Sequence, residues 1–302
     1  MKIEFNDLAL LNAIYQYGSF AKAAEKIHRS RSAVSQKIQK LEHQLGYKIF
    51  DRQTPKPQFT PKGQFLLEKG WHIIKQMEQL SGAMALIEEG FETEFSIAYD
   101  DILSCDGILS LIKDFQTAIS SSISIKLHRE VLNGTWDALV QNRAMLAIGA
   151  AGEPPLNLAC KQKNLGSTQF VFAMAPSHPL AMIKNPLSQQ DIAAACSIVI
   201  SDTSQQLTQR SVGTIAGQTI VCVPNMDAKI QAQMQGIGVG YLPKHRILHH
   251  LANGALIEGN TLCARSKSYL KIAWRSDVNS KILTWFLEHL GKEEVRDRLL
   301  MA

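Results

Sequence analysis

The stretch from Gly18 to Phe50, GSFAKAAEKIHRSRSAVSQKIQKLEHQLGYKIF, constrains the fold more than any other part of the chain. Before it, Leu8, Leu11 and Ile14, with Tyr15, mark the apolar face of a helix that Gly18 ends. Ser19 caps a second helix, in which small Ala23 and Ala24 let another helix cross closely and Ile27 anchors the core. His28-Arg29-Ser30 is a short polar turn. Ser30 then caps a third helix whose core face is Val34, Ile38 and Leu41, closed by Leu45-Gly46. Three short helices in this register predict a helix-turn-helix with the third as its recognition helix.

The opposite face of that third helix presents Arg31, Ser32, Ser35, Gln36, Gln39 and Lys40, with Lys37 beside them. Arg suits guanine, Gln suits adenine, Ser supplies adaptable donors, and Lys holds phosphates. A solvated polar face would account for any one of these residues. It does not account for the lack of Asp and Glu from Ser30 to Leu41. Charge placement agrees: residues 1–62 carry eleven Lys/Arg against five Asp/Glu, whereas the remaining 240 hold 21 basic and 22 acidic residues. A basic module on a near-neutral body fits a chain that sits on DNA at one end.

After Gly46, Lys48-Ile49-Phe50 and Gln58-Phe59-Thr60 predict a hairpin wing whose basic residues, Arg52 and Lys56, reach phosphates or the minor groove. Thr60-Pro61 is a helix start, Thr as cap and Pro at the first position. In the helix that follows, Leu66, Gly70, Ile73, Met77, Leu80, Met84 and Ile87 recur at spacings of three and four. That pattern predicts a coiled-coil seam; a core-facing helix is the alternative. A seam also supplies the two-fold partner that a helix-turn-helix needs for a symmetric site.

Ala13, Gly18-Ser19-Phe20, Ala23-Ala24, Ser30, Ala33-Val34-Ser35, Ile38, Leu41-Glu42, Leu45-Gly46, Phe50 and Arg52, followed by Phe59-Thr60-Pro61-Lys62-Gly63, resemble a LysR-type transcriptional regulator. The resemblance implies a layout for the whole chain: an α+β winged helix-turn-helix, a long linker helix, and an α/β two-lobed effector domain like a periplasmic binding protein of type 2. It also implies homodimers assembling to homotetramers, a double-stranded DNA operator, a small-molecule effector, and contact with RNA polymerase. The family often has Pro or Gln-Pro where Arg31-Ser32 stand, so an operator sequence does not carry over.

Strand and helix signals alternate from Thr93 onward in a βαβαβ order, which predicts a parallel sheet flanked by helices. A second set runs from Gln169 to Leu242, and Tyr269–Trp274 with Ser280–Leu290 return to the first. Crossings near Lys163–Thr168 and Ala264–Ser268 would form a hinge. The expected domains are therefore residues 1–60, a linker over 61–90, and an effector domain over 91–302. Within the last, one lobe takes about 91–163 plus 268–302 and the other about 164–267.

Ligands of open α/β sheets sit beyond the C-terminal strand ends. That rule selects Tyr99, Asp100, Asp101 and Ser104, then Arg129, Glu130 and Asn133, then Ser201, Asp202, Thr203 and Ser204, and finally Asn225 and Met226. Each could equally be a loop-end polar group or a helix cap. Tyr99 and Trp136 could sandwich a flat heterocycle, while Arg129 argues for an anion or an internal pair with Glu130 or Asp100. The segments REVLNGTWDAL, LAIGA, VPNMDAKI and LTWFLEHLG look closest to a branch of the family regulating purine transport and allantoin use. That resemblance suggests a purine nucleoside, a purine base or a ureide as effector.

Other classes find little support. Five scattered cysteines without a CxxC point to reduced thiols in a cytoplasm, not to disulfides or zinc. No stretch approaches the roughly 20 apolar residues of a membrane span. Gly236-Ile237-Gly238-Val239-Gly240 follows a helix and leads into a strand, the reverse of a dinucleotide loop. No catalytic constellation, metal site or cofactor is expected. Two rivals stay open: an architectural DNA-binding protein whose C-terminal lobes only oligomerise, and a DNA-tethered enzyme.

Overall fold

Local capping shapes the N-terminal helices. In the computed structural model, which describes residues 3–51, 57–262 and 267–300, α1 (Phe5–Tyr17) stops at Gly18, whose φ of 69° is left-handed. The Ser19 hydroxyl accepts the Lys22 N–H and starts α2 (Phe20–Lys26). Ser30 does the same with Ala33 for α3 (Arg31–Leu45). Leu11, Ile14, Ala23, Ala24, Val34, Ile38 and Leu41 bury one another in the core of the trio. Two short strands, β1 (Phe50–Asp51) and β2 (Gln58–Phe59), pair antiparallel as the root of a wing.

Helix α4 spans Pro61–Glu88, capped by Thr60, whose hydroxyl accepts the Gly63 N–H at 3.1 Å and donates to the Lys48 carbonyl at 2.7 Å. Its first half packs on the trio: a Cβ at Gly63 would strike the Ile49 backbone, and one at Gly70 would press on Leu8. Gly70 thus serves a contact with α1, a correction to its expected place in the seam, and Leu66 is partly buried against the same core. From Ile73 onward the stripe of Ile73, Met77, Leu80, Met84 and Ile87 is exposed.

The chain divides into two units, Met1–Glu88 and Glu89–Ala302. The second is built on a five-stranded sheet, a three-stranded sheet and a two-stranded pair. In the first, β3 (Glu94–Asp100), β4 (Ser124–Glu130), β5 (Leu146–Ala151), β6 (Cys160–Thr168) and β12 (Ser268–Arg275) lie in the order β4-β3-β5-β12-β6. β3 runs parallel to β4 and β5, and β12 runs antiparallel to β5 and β6. Helices α5 (Cys105–Ala118), α6 (Gly134–Val140), α10 (Lys281–His289) and α11 (Glu293–Leu300) belong to this half. Phe95, Phe115 and Phe286 stack within its core.

The other half holds β7 (Phe170–Met174) between β10 (Gly240–Pro243) and β11 (Ile257–Glu258), and a parallel pair, β8 (Ser197–Ile200) and β9 (Ile220–Val223). Helices α7 (Gln189–Ala194), α8 (Met226–Met234) and α9 (Lys244–Ala252) complete it. The first crossing falls at Gln169, just past Lys163–Thr168; that stretch itself belongs to β6, paired along β12, so the first sheet runs on to Thr168 and not to about 163. On the return, Ser268 already pairs with Thr168; residues 264–266 lie outside the described residues. Among the described residues no helix is long and apolar enough to cross a membrane.

Candidate nucleic-acid interface and ligand cleft

On α3 the apolar face turns inward and leaves Arg31, Ser32, Gln36, Gln39 and Lys40 exposed, with Ser35 half-buried. Ser32 Oγ lies 3.0 Å from the capping Ser30 Oγ, at the first turn. Lys37 differs from its neighbours. Its ammonium sits 2.8 Å from buried Asp7 and 3.7 Å from Glu4, both at the start of α1. The Asp7 hydrogen bond outweighs a small desolvation and holds the Lys37 pKa above its ordinary value. Lys37 therefore ties the recognition helix to α1, a correction to its expected place among the DNA contacts. Arg52 and Lys56 lie outside the described residues.

Glu42, one residue past the carboxylate-free face, is buried. It accepts the Ile49 and Phe50 N–H groups at 2.8 and 3.2 Å and Lys48 at 3.1 Å. Burial works against its charge, but those donors win and keep the carboxyl below its usual range. An ionised Glu42 thus pins the first wing strand to α3.

In the second unit, the loops at the strand ends are tied across the two sheets. Asp101 accepts the Met226 N–H at the head of α8, where the helix dipole favours an anion, and also takes Arg129. Arg129 reaches Asp227 at 2.7 Å, and Arg246 of α9 bridges Asp227 (2.6 Å) to the carbonyls of Asp101 and Leu103 (2.8 and 2.9 Å). Burial opposes the Arg129 charge, yet Asp227 and Asp101 hold its pKa above the ordinary value. His245 Nε2–H donates to the Ile102 carbonyl and Nδ1 lies 3.0 Å from the Thr168 hydroxyl, while burial lowers its pKa.

A second group of ties secures residues 202–210. Thr203 donates to Glu130 and accepts the Val131 N–H at 2.9 Å. Asp202 accepts N–H groups of Asn133 (3.3 Å), Ser204 and Arg210 (both 2.8 Å). Fully buried Asp137 accepts those of Gln205, Gln206 and Leu207 at 3.1, 2.9 and 2.9 Å, and Arg143 at 3.2 Å. Burial alone would raise its pKa, but the N–H donors and Arg143 hold it low. Gly134 is required here, because a Cβ would run into Thr203 and Glu130.

Between these ties lies a cavity of about 200 Å³, walled by Val131, Leu132, Phe170, Ile200, Met226, Tyr241 and Tyr269, with Asp100, Asp101, Arg210, Lys229 and Ser268 as its polar groups. Asp100 is 2 % exposed; its Oδ1 accepts the Ile102 N–H at 2.9 Å. Burial, with Asp101, Asp202 and Glu130 nearby, pushes its carboxyl up to about 8. Among the described residues no cluster of His, Cys, Asp and Glu could hold a metal ion.

Two family models match in sequence: "Bacterial regulatory helix-turn-helix protein, lysR family" over residues 5–64 and "LysR substrate binding domain" over 88–294. The chain belongs to the LysR family. It is 32% identical over 290 residues to the uncharacterized transcriptional regulator YeeY of Escherichia coli K12, covering 96% of this chain and 94% of that one. With PunR of the same organism it is 29% identical over 291 residues, at the same coverage. Full-length LysG of Corynebacterium glutamicum shares the fold at a TM-score of 0.52 and 20% identity, with 100% of both chains covered. This LysR-type chain is a DNA-binding transcriptional regulator with an effector-binding domain, not an enzyme.

Within the LysR effector domain, the residues expected at the cleft meet different fates. Asp100, Asp101 and Met226 line the cavity. Trp136 does not: it is 1 % exposed, packs on Leu139, Ala147, Ala150 and Ala273, and donates its indole N–H to the Ala151 carbonyl at 2.9 Å. Tyr99 is also buried, its hydroxyl 3.8 Å from Cys105 Sγ and pushed up to about 12 by burial. The expected ring sandwich is thus absent, corrected by two residues that the sheet absorbs. Ser104 and Asn225 cap α5 and α8, and Ser201 is held through its N–H by Val223. Arg129, Glu130, Asn133, Asp202 and Thr203 are spent in the ties, and the Ser204 N–H joins them; Arg129 pairs with Asp101 and Asp227, not with Glu130 or Asp100.

Arg210, Lys229, Phe170, Tyr241 and Tyr269 were not singled out from sequence. Lys229 follows Met226 by three residues, so the helical spacing could have found it. Tyr269 is the second residue of its strand and escapes a rule about C-terminal strand ends. Because β12 is antiparallel, its start lies beside the end of β5, with Leu270 opposite Ala151.

Proposed function

We propose that this regulator reads a specific duplex operator with the exposed face of α3 and alters its grip when a small ligand occupies the cleft of the second unit. The observation that carries the reading is that face: Arg31, Ser32, Gln36, Gln39 and Lys40 exposed, with no carboxylate among them. The ligand class is a purine base, purine nucleoside or ureide. Its support is the resemblance of the REVLNGTWDAL and VPNMDAKI segments to the purine-transport and allantoin-utilisation branch, together with the likeness to PunR. Closure of the cleft would change the spacing of paired DNA-binding units, and the ligand must prefer one arrangement to shift anything.

The domains proposed are residues 1–60, 61–90 and 91–302, the linker pairing two subunits through the exposed stripe from Ile73 to Ile87 and the effector domains completing a tetramer. RNA polymerase in the cytoplasm is the proposed downstream partner. Selection of duplexes from a random pool by the full chain, followed by titration with purines and ureides, tests the reading. An enriched symmetric sequence whose affinity shifts with ligand is expected; no enrichment would overturn it. Leu80→Asp should halve the particle mass in light scattering, and an unchanged mass would remove the seam.

A further inference from the structure

A second cavity, of about 280 Å³, lies in the half of the second unit that carries β7, β8 and β10. Strand alternation makes it. Phe172 and Tyr241 pack with Leu187, Ile192 and Val239, while their neighbours Val171 and Leu242 pack with Met226 and Ile230. The Phe172 and Tyr241 rings meet edge to face, 5.3 Å between centroids. The remaining wall is the loop that leads from β8 back to β9, through Gly213, Thr214 and Ile215. Gln218 rivets that loop. Its amide nitrogen donates to the Ile192 and Ala195 carbonyls at 2.7 and 3.0 Å, and its oxygen accepts the Ile215 N–H at 3.2 Å. A guest therefore meets a site already formed.

The walls differ in kind from those of the cleft. The cleft has Asp100, Asp101, Arg210 and Lys229, whereas none of the described residues lining the second cavity is charged. A charged guest would shed water there with no counter-charge to replace it, at a heavy cost. Volume sets the size. A cavity of roughly 150 Å³ takes benzene, so 280 Å³ takes a fused pair of rings. Hydroxyls are left to orient it: buried Ser197 reaches the Gly213 carbonyl at only 3.4 Å, and Thr214 adds a second. A hydrogen bond that long is weak, so the Ser197 oxygen is ready for a better partner.

Position separates the two cavities and also joins them. Ser197 begins β8, whereas the cleft takes Ile200 at the other end of that strand. Tyr241 lines both spaces, and adjoining loop residues divide between them, Val212 lining the cleft and Gly213 the second cavity. We propose that the second cavity is a separate site for an uncharged fused-ring aromatic of indole size, and that its occupant acts on the cleft through Tyr241 and residues 212–213. The site stands on its own geometry; its action on the cleft rests on the cleft reading above.

Calorimetry and hydrogen exchange on the full chain with indole test the proposal. Indole should bind, and indole-3-carboxylate, similar in shape but charged, should bind at least about tenfold more weakly. Exchange should slow over residues 192–197 and 213–218, and to a smaller degree over 210–212 beside the cleft. Thr214→Trp, at a half-buried position on the loop, puts a ring into the cavity and should remove indole binding. Arg210→Trp, at the cleft wall, should leave indole affinity within about twofold of the parent. If Thr214→Trp fails to fold, the exchange pattern of the parent decides. Binding lost in Arg210→Trp and kept in Thr214→Trp, or slowing confined to residues 100–103 and 226–229, would place indole in the cleft and overturn the second site. Silence of indole would overturn it too and leave the cleft reading standing. Equal binding of the carboxylate would overturn the uncharged class. Slowing over 213–218 with none over 210–212 would overturn the action on the cleft.

Discussion

The recognition helix and the cleft loops carry similar polar residues, and they use them in opposite ways. On α3, Arg31, Gln36, Gln39 and Lys40 stand exposed on a helix whose shape is already secured by its core face and caps. At the cleft, Asp101, Arg129, Glu130, Asn133, Asp202 and Thr203 are themselves the fastenings between two sheets. Chemistry that looks equally available in sequence is thus available on α3 and already committed at the cleft. The difference follows from local order: a helix satisfies its own backbone, whereas loops must borrow side chains to satisfy theirs.

The comparison breaks most sharply at Asp137. Asp137→Ala would strand three backbone N–H groups and leave Arg143 with Glu130 as its remaining carboxylate, and should cost roughly 3–5 kcal/mol of stability in urea titration. A loss under about 1 kcal/mol would mean that the fastenings are idle. On the other side, Arg31→Ala or Gln36→Ala should leave stability near the parent and cost roughly 1–3 kcal/mol on the operator. Equal loss on random DNA would deny them base reading.

Asp100 offers a pH-dependent version of the contrast. Its carboxyl stands at about 8 in the folded chain against an ordinary value of 3.8, so the folded state holds a proton that the unfolded state releases between those values. Stability from this group is complete below about pH 4, falls as pH rises, and is gone above about 8. Asp100→Asn has no such proton and should flatten the decline between pH 5.5 and 8 by up to about 1 kcal/mol per unit. Identical slopes in urea midpoints would show that Asp100 is ionised throughout. The smallest effect separates two lysines on one helix. Lys40→Ala should lower the salt slope of DNA binding by about one without touching stability. Lys37→Ala should loosen α3 from α1 and show itself in thermal melting.

The N-terminal unit was legible because its determinants are local. Gly18, Ser19, Ser30, Gly46 and Thr60 stop or start helices within a few residues of themselves. The strand β6 was missed for the opposite reason. Cys160–Thr168 is an edge strand whose residues are mostly exposed on both faces, so it shows no alternation to read. At the cleft the sequence rule found the right strand ends but not which side chains remain available. Val131 and Thr203 are 72 residues apart, and Asp137 and Gln206 are 69 apart. Nothing at either end announces the other. Trp136 misled because its position after β4 fits a ligand wall, while the fold uses it to fill the first sheet's core.

The strap formed by residues 202–210 has a consequence for how such regulators diverge. Asp137 and Asp202 grip it through N–H groups of Ser204, Gln205, Gln206, Leu207 and Arg210, which almost every amino acid provides. The exposed side chains of Gln205, Gln206 and Gln209 can therefore drift without unfastening it. Arg210 is held by its backbone as well, which leaves its side chain replaceable at the cavity wall. Proline alone is barred at the gripped positions, since it lacks the donor. A rim that is fixed by its backbone and open in its side chains lets taste in ligands change while the lock stays the same.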